Sequence, residues 1–147
     1  MTQREAKMNL EKRYFTYEEA EQMLPKVERM ILELQAIDKA LDLLETVELE
    51  IDEESEEQVR YVMKFNKEFH KLSYRYYLLL EKLDGMGIVV KDLEEGLVDF
   101  YHTYRGRDVF LCWKLGEKQL GYWHEVNRGY HGRQKIIDLS GKIVSFK

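Results

Sequence analysis

The chain has 147 residues, enough to bury one hydrophobic core without disulfides or a structural metal, so a single domain over residues 1–147 is expected. With 44% hydrophobic and 35% charged residues it is too apolar for a disordered segment and too charged for a membrane protein. No apolar run reaches the roughly 18 residues of a membrane span, and the opening residues lack the apolar core of a signal peptide, so the expected location is cytoplasmic.

The net charge of −5 conceals a division. From His102 to Lys147 nine Lys and Arg stand against four acids, a balance of +5, which leaves −10 on the first 101 residues. Such asymmetry marks an anion-binding end, two halves that attract one another, or two ordinary solvated faces. The single cysteine, Cys112, excludes an intrachain disulfide, and its neighbours Leu111 and Trp113 favour a packed thiol over a redox centre.

Residues Met1 to Tyr14 are polar and aperiodic and read as a loose or partly helical leader. Thr16, with Glu19 three positions on and apolar residues flanking, is a capping box, so a helix is predicted to start at Tyr17. Pro25 cannot donate a helical hydrogen bond, so a short helix followed by a break or kink is expected there, with a second helix beginning at the proline. Val27, Ile31, Leu34, Ile37, Leu41 and Leu44 then form one apolar stripe. The acidic stretch from Glu48 to Glu57 reads as a connection. Ser55 with Gln58 predicts the start of a further helix running to about Leu83 and closed by Asp84-Gly85, with Gly85 in the left-handed conformation. Its seam of Val62, Phe65, Phe69, Leu72, Tyr76, Leu79 and Leu83 has coiled-coil spacing, and its length of roughly 40–45 Å exceeds what a small domain needs. A helical hairpin over about 17–84 that self-associates as a homodimer is the expectation, with a hairpin packed wholly within its own domain as the competing account of the seam.

After Gly87 the period changes to two. Ile88–Lys91, Leu97–Tyr101, Asp108–Trp113 and Leu120–Glu125 read as four strands of an antiparallel β-meander over about 87–126, which makes the fold class α+β. A two-residue turn at Arg105-Gly106 sets Asp99 opposite Cys112 and Phe100 opposite Leu111. A four-residue loop from Gly116 to Gln119 would set Cys112 opposite Trp123 and Leu111 opposite His124. On that register Val98, Phe100, His102, Val109, Leu111, Trp113, Tyr122 and His124 face the helices, while Asp99, Tyr101, Phe110, Cys112, Trp123 and Glu125 face away. The remaining residues, 127–147, read as loop and tail, with a small closing hairpin from Gln134 to Lys147.

The segments Gly96-Leu97-Val98-Asp99-Phe100, Leu111 to Glu117, Tyr122-Trp123-His124 and Gly132-Arg133, with an opening Phe15-Thr16 to Leu24-Pro25, resemble the bacterial family catalogued as domain of unknown function 2203 over roughly Phe15 to Ile136. Some members of that family are labelled DivIVA-type cell-division proteins, a label that coiled-coil character alone would explain. The resemblance implies that Asp99, Glu117, Trp123, His124 and Arg133 are shared motif positions, and it implies no particular chemistry.

Two constellations carry chemistry on their residue types. Asp99, Glu117, His124, Glu125 and His131 are the carboxylates and imidazoles that first-row metals accept, so a divalent metal held by Glu117, His124 and His131 is the candidate cofactor. The spacing His124-Glu125 followed by Arg128 is not that of a zincin helix, and a buried His124 bonded to a carboxylate such as Glu117 is the alternative. Arg105, Arg107, Arg128 and Arg133, with Trp123 and Tyr130, form a candidate site for a small anion, against which stand ordinary salt bridges to the acidic helices. The candidate ligand-binding residues are therefore Asp99, Glu117, Trp123, His124, Arg128 and Arg133. Two function classes follow: a binding or assembly module that self-associates through its helices, and a small metal- or phosphate-dependent enzyme with its site on the meander. A membrane partner is excluded by hydropathy, and nucleic acid is disfavoured by the acidic balance.

Overall fold

The computed structural model describes residues 12–47 and 55–136. Two long helices, α1 (Tyr17–Glu45) and α2 (Glu56–Gly85), precede a five-stranded antiparallel sheet of β1 (Ile88–Asp92), β2 (Leu97–Tyr104), β3 (Arg107–Lys114), β4 (Tyr122–Glu125) and β5 (Gln134–Lys135), in the order β1-β2-β3-β4-β5. A single 3₁₀ turn, Tyr130–Gly132, lies before β5. The fold is thus α+β, a helical hairpin on a meander, with one more strand than expected. Among the described residues no helix is long and apolar enough to cross a membrane.

The start of α1 follows from its sequence. Thr16 accepts from the Glu19 amide at 3.1 Å while the Glu19 carboxylate accepts from the Thr16 amide at 2.8 Å, closing the capping box. Contrary to expectation, Pro25 neither ends this helix nor starts another: Tyr17–Glu45 is continuous through it. Burial explains why, since Ala20 and Leu24 before the proline and Val27, Met30, Ile31, Leu34 and Ile37 after it lie in one core, and breaking the helix would divide that stripe. Ser55 caps α2 by accepting from the Gln58 amide at 3.3 Å. The left-handed residue after α2 is Gly87 (φ 83°) rather than Gly85, and a side chain there would also collide with Arg13.

Segment 12–16 is pinned to the sheet rather than loose. Tyr14 bridges Tyr101 in parallel, the Phe15 amide donates to the Tyr101 carbonyl at 2.8 Å, and Phe15 packs edge-on against Phe100. The N-terminal leader up to residue 11 lies outside the described residues, as does the tail from 137 on, and with it most of the closing hairpin predicted over Gln134 to Lys147; the described part, β5, pairs with β4.

The β2–β3 register is the expected one, with Asp99 opposite Cys112 and Phe100 opposite Leu111, across a two-residue turn whose Arg105 and Gly106 both have positive φ (51° and 77°). The β3–β4 register is not. Leu111 pairs with Trp123 and Cys112 with Tyr122, one residue away from the expected alignment, because nine residues, 113–121, separate the last paired positions, Cys112 and Tyr122, instead of a symmetrical four-residue loop. Two local interactions lengthen it. The Glu117 carboxylate folds back to accept from the Lys114 amide at 2.7 Å, and Leu120, expected to begin β4, is instead fully buried in the core. A one-residue slip exchanges the faces of a strand. Trp123 and Glu125 therefore stand on the helix side and Tyr122 and His124 on the far side, the reverse of the sequence reading.

The helix-facing core comprises Ile88, Val98, Phe100, Leu111 and Trp113 from the sheet, seven residues of α1, Leu79 and Leu83 of α2, and Phe15, Leu120 and Ile136 from the connecting segments. The hairpin is consequently anchored at its base, where α1 does most of the burying.

Candidate functional site

On the sheet face away from the helices, the corrected register brings Asp99 of β2, Cys112 of β3 and His124 of β4 together. Asp99 and Cys112 are direct cross-strand partners, and His124 follows Phe110 in the next row, its ring 5.4 Å from that of Phe110. His124 Nε2 lies 3.0 Å from Asp99 Oδ2, so the two side chains reach toward each other over the central strand. All three are buried, with 0% exposure for Asp99 and Cys112 and 2% for His124. One ligating atom from each residue lies within 4.8 Å of the other two.

The protonation of this cluster follows from its partners. His124 Nδ1 is 2.8 Å from the Glu125 carbonyl, which only accepts, so Nδ1 carries a proton. Nε2 then faces a carboxylate, and a second ring proton satisfies that contact. Burial pulls the imidazole down, but the hydrogen bonds to Asp99 and to the Glu125 carbonyl outweigh it and hold His124 above its ordinary value. Cys112 is driven far up, first by burial and then by the neighbouring charge of Asp99, so in this state it is a thiol and no nucleophile. Asp99 Oδ1 is buried and has no hydrogen-bond partner among the described residues.

Beside the cluster stands a second pair. Arg133 donates through Nη2 to both Glu117 oxygens, at 2.6 and 2.9 Å, and to the Cys112 carbonyl at 3.4 Å. Its guanidinium lies 3.9 Å from the Tyr122 ring centroid and 4.8 Å from that of Tyr130. Glu117, besides accepting from the Lys114 amide, offers its own carbonyl to the Trp113 indole at 2.8 Å. The residue Cys112 thus touches both pairs, the thiol beside Asp99 and the carbonyl beside Arg133.

The expected metal set of Glu117, His124 and His131 is not assembled. Glu117 is engaged by Arg133, and His131 is exposed in the 3₁₀ turn with its ring against Tyr130. The partner of His124 is Asp99 rather than Glu117. Nor do the arginines converge on one anion site. Arg107 grips Glu125 through Nε at 3.1 Å, Arg105 lies over Tyr104, exposed Arg128 packs on Gly132, and Arg133 is held by Glu117. Trp123 is half-buried on the helix side, 5.6 Å from Tyr104, and contributes nothing to the far face. Cys112 is the member that sequence reasoning missed. Its register against Asp99 was legible, but its proximity to His124 depended on the β4 alignment.

A different feature occupies the hairpin. Beyond Ile37 on α1 and before Leu79 on α2, no described side chain is fully buried. The seam residues Leu41, Leu44, Val62, Phe65, Phe69 and Leu72 are half-buried, and Leu43, Tyr61 and Met63 are exposed by 66%, 57% and 65%. Arg75 and Glu33 clasp the two helices at 2.6 Å, where the hairpin leaves its core.

A family model described as "Uncharacterized conserved protein (DUF2203)" matches residues 13–136, which include both helices, every strand, the Asp99–Cys112–His124 cluster and the Glu117–Arg133 pair. No curated protein and no solved structure matches the chain. The match extends over most of the sequence and over the whole described fold, and the chain belongs to the DUF2203 family.

Proposed function

We infer that the protein is an assembly module whose helical hairpin pairs with the hairpin of a second copy to form a four-helix bundle. The observation that carries this reading is the uncovered seam: two antiparallel helices cover each other on one side only, and Leu41, Leu44, Val62, Phe65, Phe69 and Leu72 keep apolar surface that a further helix pair would remove from water. Removing that surface is favourable at about 25 cal/mol per Å², and aromatic residues supply the largest areas.

Charge favours a second copy as the occupant. From Asp38 to its end, α1 carries Asp38, Asp42 and Glu45 against Lys39, a balance of −2. From Glu56 to Lys71, α2 carries Arg60, Lys64, Lys67 and Lys71 against Glu56, Glu57 and Glu68, a balance of +1. A twofold-related copy that lays α1 of each hairpin beside α2 of the other matches acidic to basic along both new contacts. Sedimentation equilibrium of the full chain over a range of concentrations tests the inference: a dimer that dissociates on replacing Phe65 and Phe69 with lysine is expected, and a monomer at all concentrations overturns it.

A further inference from the structure

We propose that Asp99, Cys112 and His124 form a binding site for a single zinc-class divalent ion on the sheet face opposite the helices. Thiolate, imidazole and carboxylate are the three ligand types zinc takes, at about 2.3 Å for sulfur and about 2.0–2.2 Å for nitrogen and oxygen, which puts neighbouring donors roughly 3.5 Å apart in a tetrahedron. The three donors here already lie within 4.8 Å of one another, so side-chain rotations of about 1 Å bring them to that spacing.

Three further observations point to a ligand rather than to a self-contained ion pair. The Asp99–His124 contact uses Oδ2 and leaves Oδ1 buried with no hydrogen-bond partner among the described residues, an arrangement that a cation would satisfy. His124 Nδ1 donates to the Glu125 carbonyl, the contact that fixes the tautomer and presents Nε2 to a metal. Finally, all three ligands stand on adjacent strands β2, β3 and β4, and the Cys112 carbonyl is tied down by Arg133, so the donors are held by rigid elements. Three protein ligands leave the fourth position of a tetrahedral ion to water or to an incoming group. Loading the site requires the Cys112 proton and the proton between His124 and Asp99 to leave as the ion enters.

The test uses the full chain, stripped with a chelator and titrated with Co²⁺, then Zn²⁺. One equivalent of cobalt is expected to produce a thiolate-to-metal charge-transfer band with the visible absorption of a tetrahedral ion, and zinc is expected to displace it. Cys112→Ser abolishes the charge-transfer band, His124→Gln weakens binding by more than roughly tenfold, and His131→Gln leaves both unchanged. Absence of the band in folded wild-type protein overturns the proposal, as does cobalt uptake that Cys112→Ser leaves intact. Should either site variant fail to fold, nitrogen-labelled wild-type protein decides: zinc shifts the amide signals of Asp99, Cys112 and His124, and shifts confined to other residues overturn it.

Discussion

Replacing Asp99 and His124 separately and together is the most direct test of how the sheet is held on its far side. The two groups meet at 3.0 Å with 0% and 2% exposure, so each has exchanged its hydration for the other. Asp99→Val leaves a buried imidazole facing no acceptor at Nε2, and His124→Leu leaves a buried carboxylate without its imidazole partner. Breaking one side of a buried ion pair costs about 3–5 kcal/mol, which is a third or more of the total stability of an ordinary domain. The double variant puts two apolar side chains in contact above β3, beside Phe110, and such replacements are close to neutral. A coupling of about 3 kcal/mol or more is therefore expected in the cycle. Equilibrium urea unfolding in the presence of chelator, followed by the fluorescence of buried Trp113 and half-buried Trp123, measures it. Single-variant losses below about 1 kcal/mol, or losses that simply add in the double variant, would refute the reasoning.

Other outcomes follow from the backbone and from exposed charge. Gly96→Ala is expected to cost about 3 kcal/mol or more, because its φ is 69° and its new Cβ would lie 2.5 Å from Leu115 Cβ, an atom that no rotamer change can move; an unchanged urea midpoint counts against this. Pro25→Ala should stabilise the protein by about 1–3 kcal/mol, since it restores a hydrogen bond to a helix that is already continuous, and a lowered Tm would contradict that account. Glu33, bonded to Arg75, and Glu125, bonded to Arg107, are both held below the ordinary carboxylate value of 4.5. Their contribution is fully present above that value and is lost as pH falls through the lowered ones, so replacing both with glutamine should flatten the acid limb of a stability–pH profile. An acid limb that keeps its slope in the double variant would show that other groups set it.

Much of this architecture is legible in the chain. The Thr16–Glu19 capping box, the Ser55 cap and the Arg105-Gly106 turn are local signals, and local signals specify local geometry whatever surrounds them. Pro25 is not legible as a mid-helix residue because its propensity acts on one turn, whereas the burial that overrides it is spread from Ala20 to Ile37 and becomes visible only when the core is assembled. The face of β4 is hidden from the sequence for a related reason. The length of the preceding connection depends on Leu120 entering the core and on Glu117 reaching back to Lys114 and across to Arg133, contacts that join distant parts of the sequence. That register alone decides whether His124 shares a face with Asp99 and Cys112. Of the five positions that the family resemblance implies, four fall into two pairs that only the register could sort, Asp99 with His124 and Glu117 with Arg133, while Trp123 stands on the helix side.

The way the hairpin is rooted has a mechanical consequence. One leg is fastened where Tyr14 and Phe15 join the sheet at Tyr101, and the other runs through Gly87 directly into β1, so both roots are immobilised at the same end. Beyond that base the described turns of α1 after Ile37 and of α2 before Leu79 bury no side chain fully, so they are the first expected to open. Amide hydrogen exchange should be slow from Ala20 to Leu34 and around Leu79 and Leu83, and progressively faster toward Leu44 and Val62. A steep gradient that flattens as protein concentration rises would show the free end being clasped by its own kind.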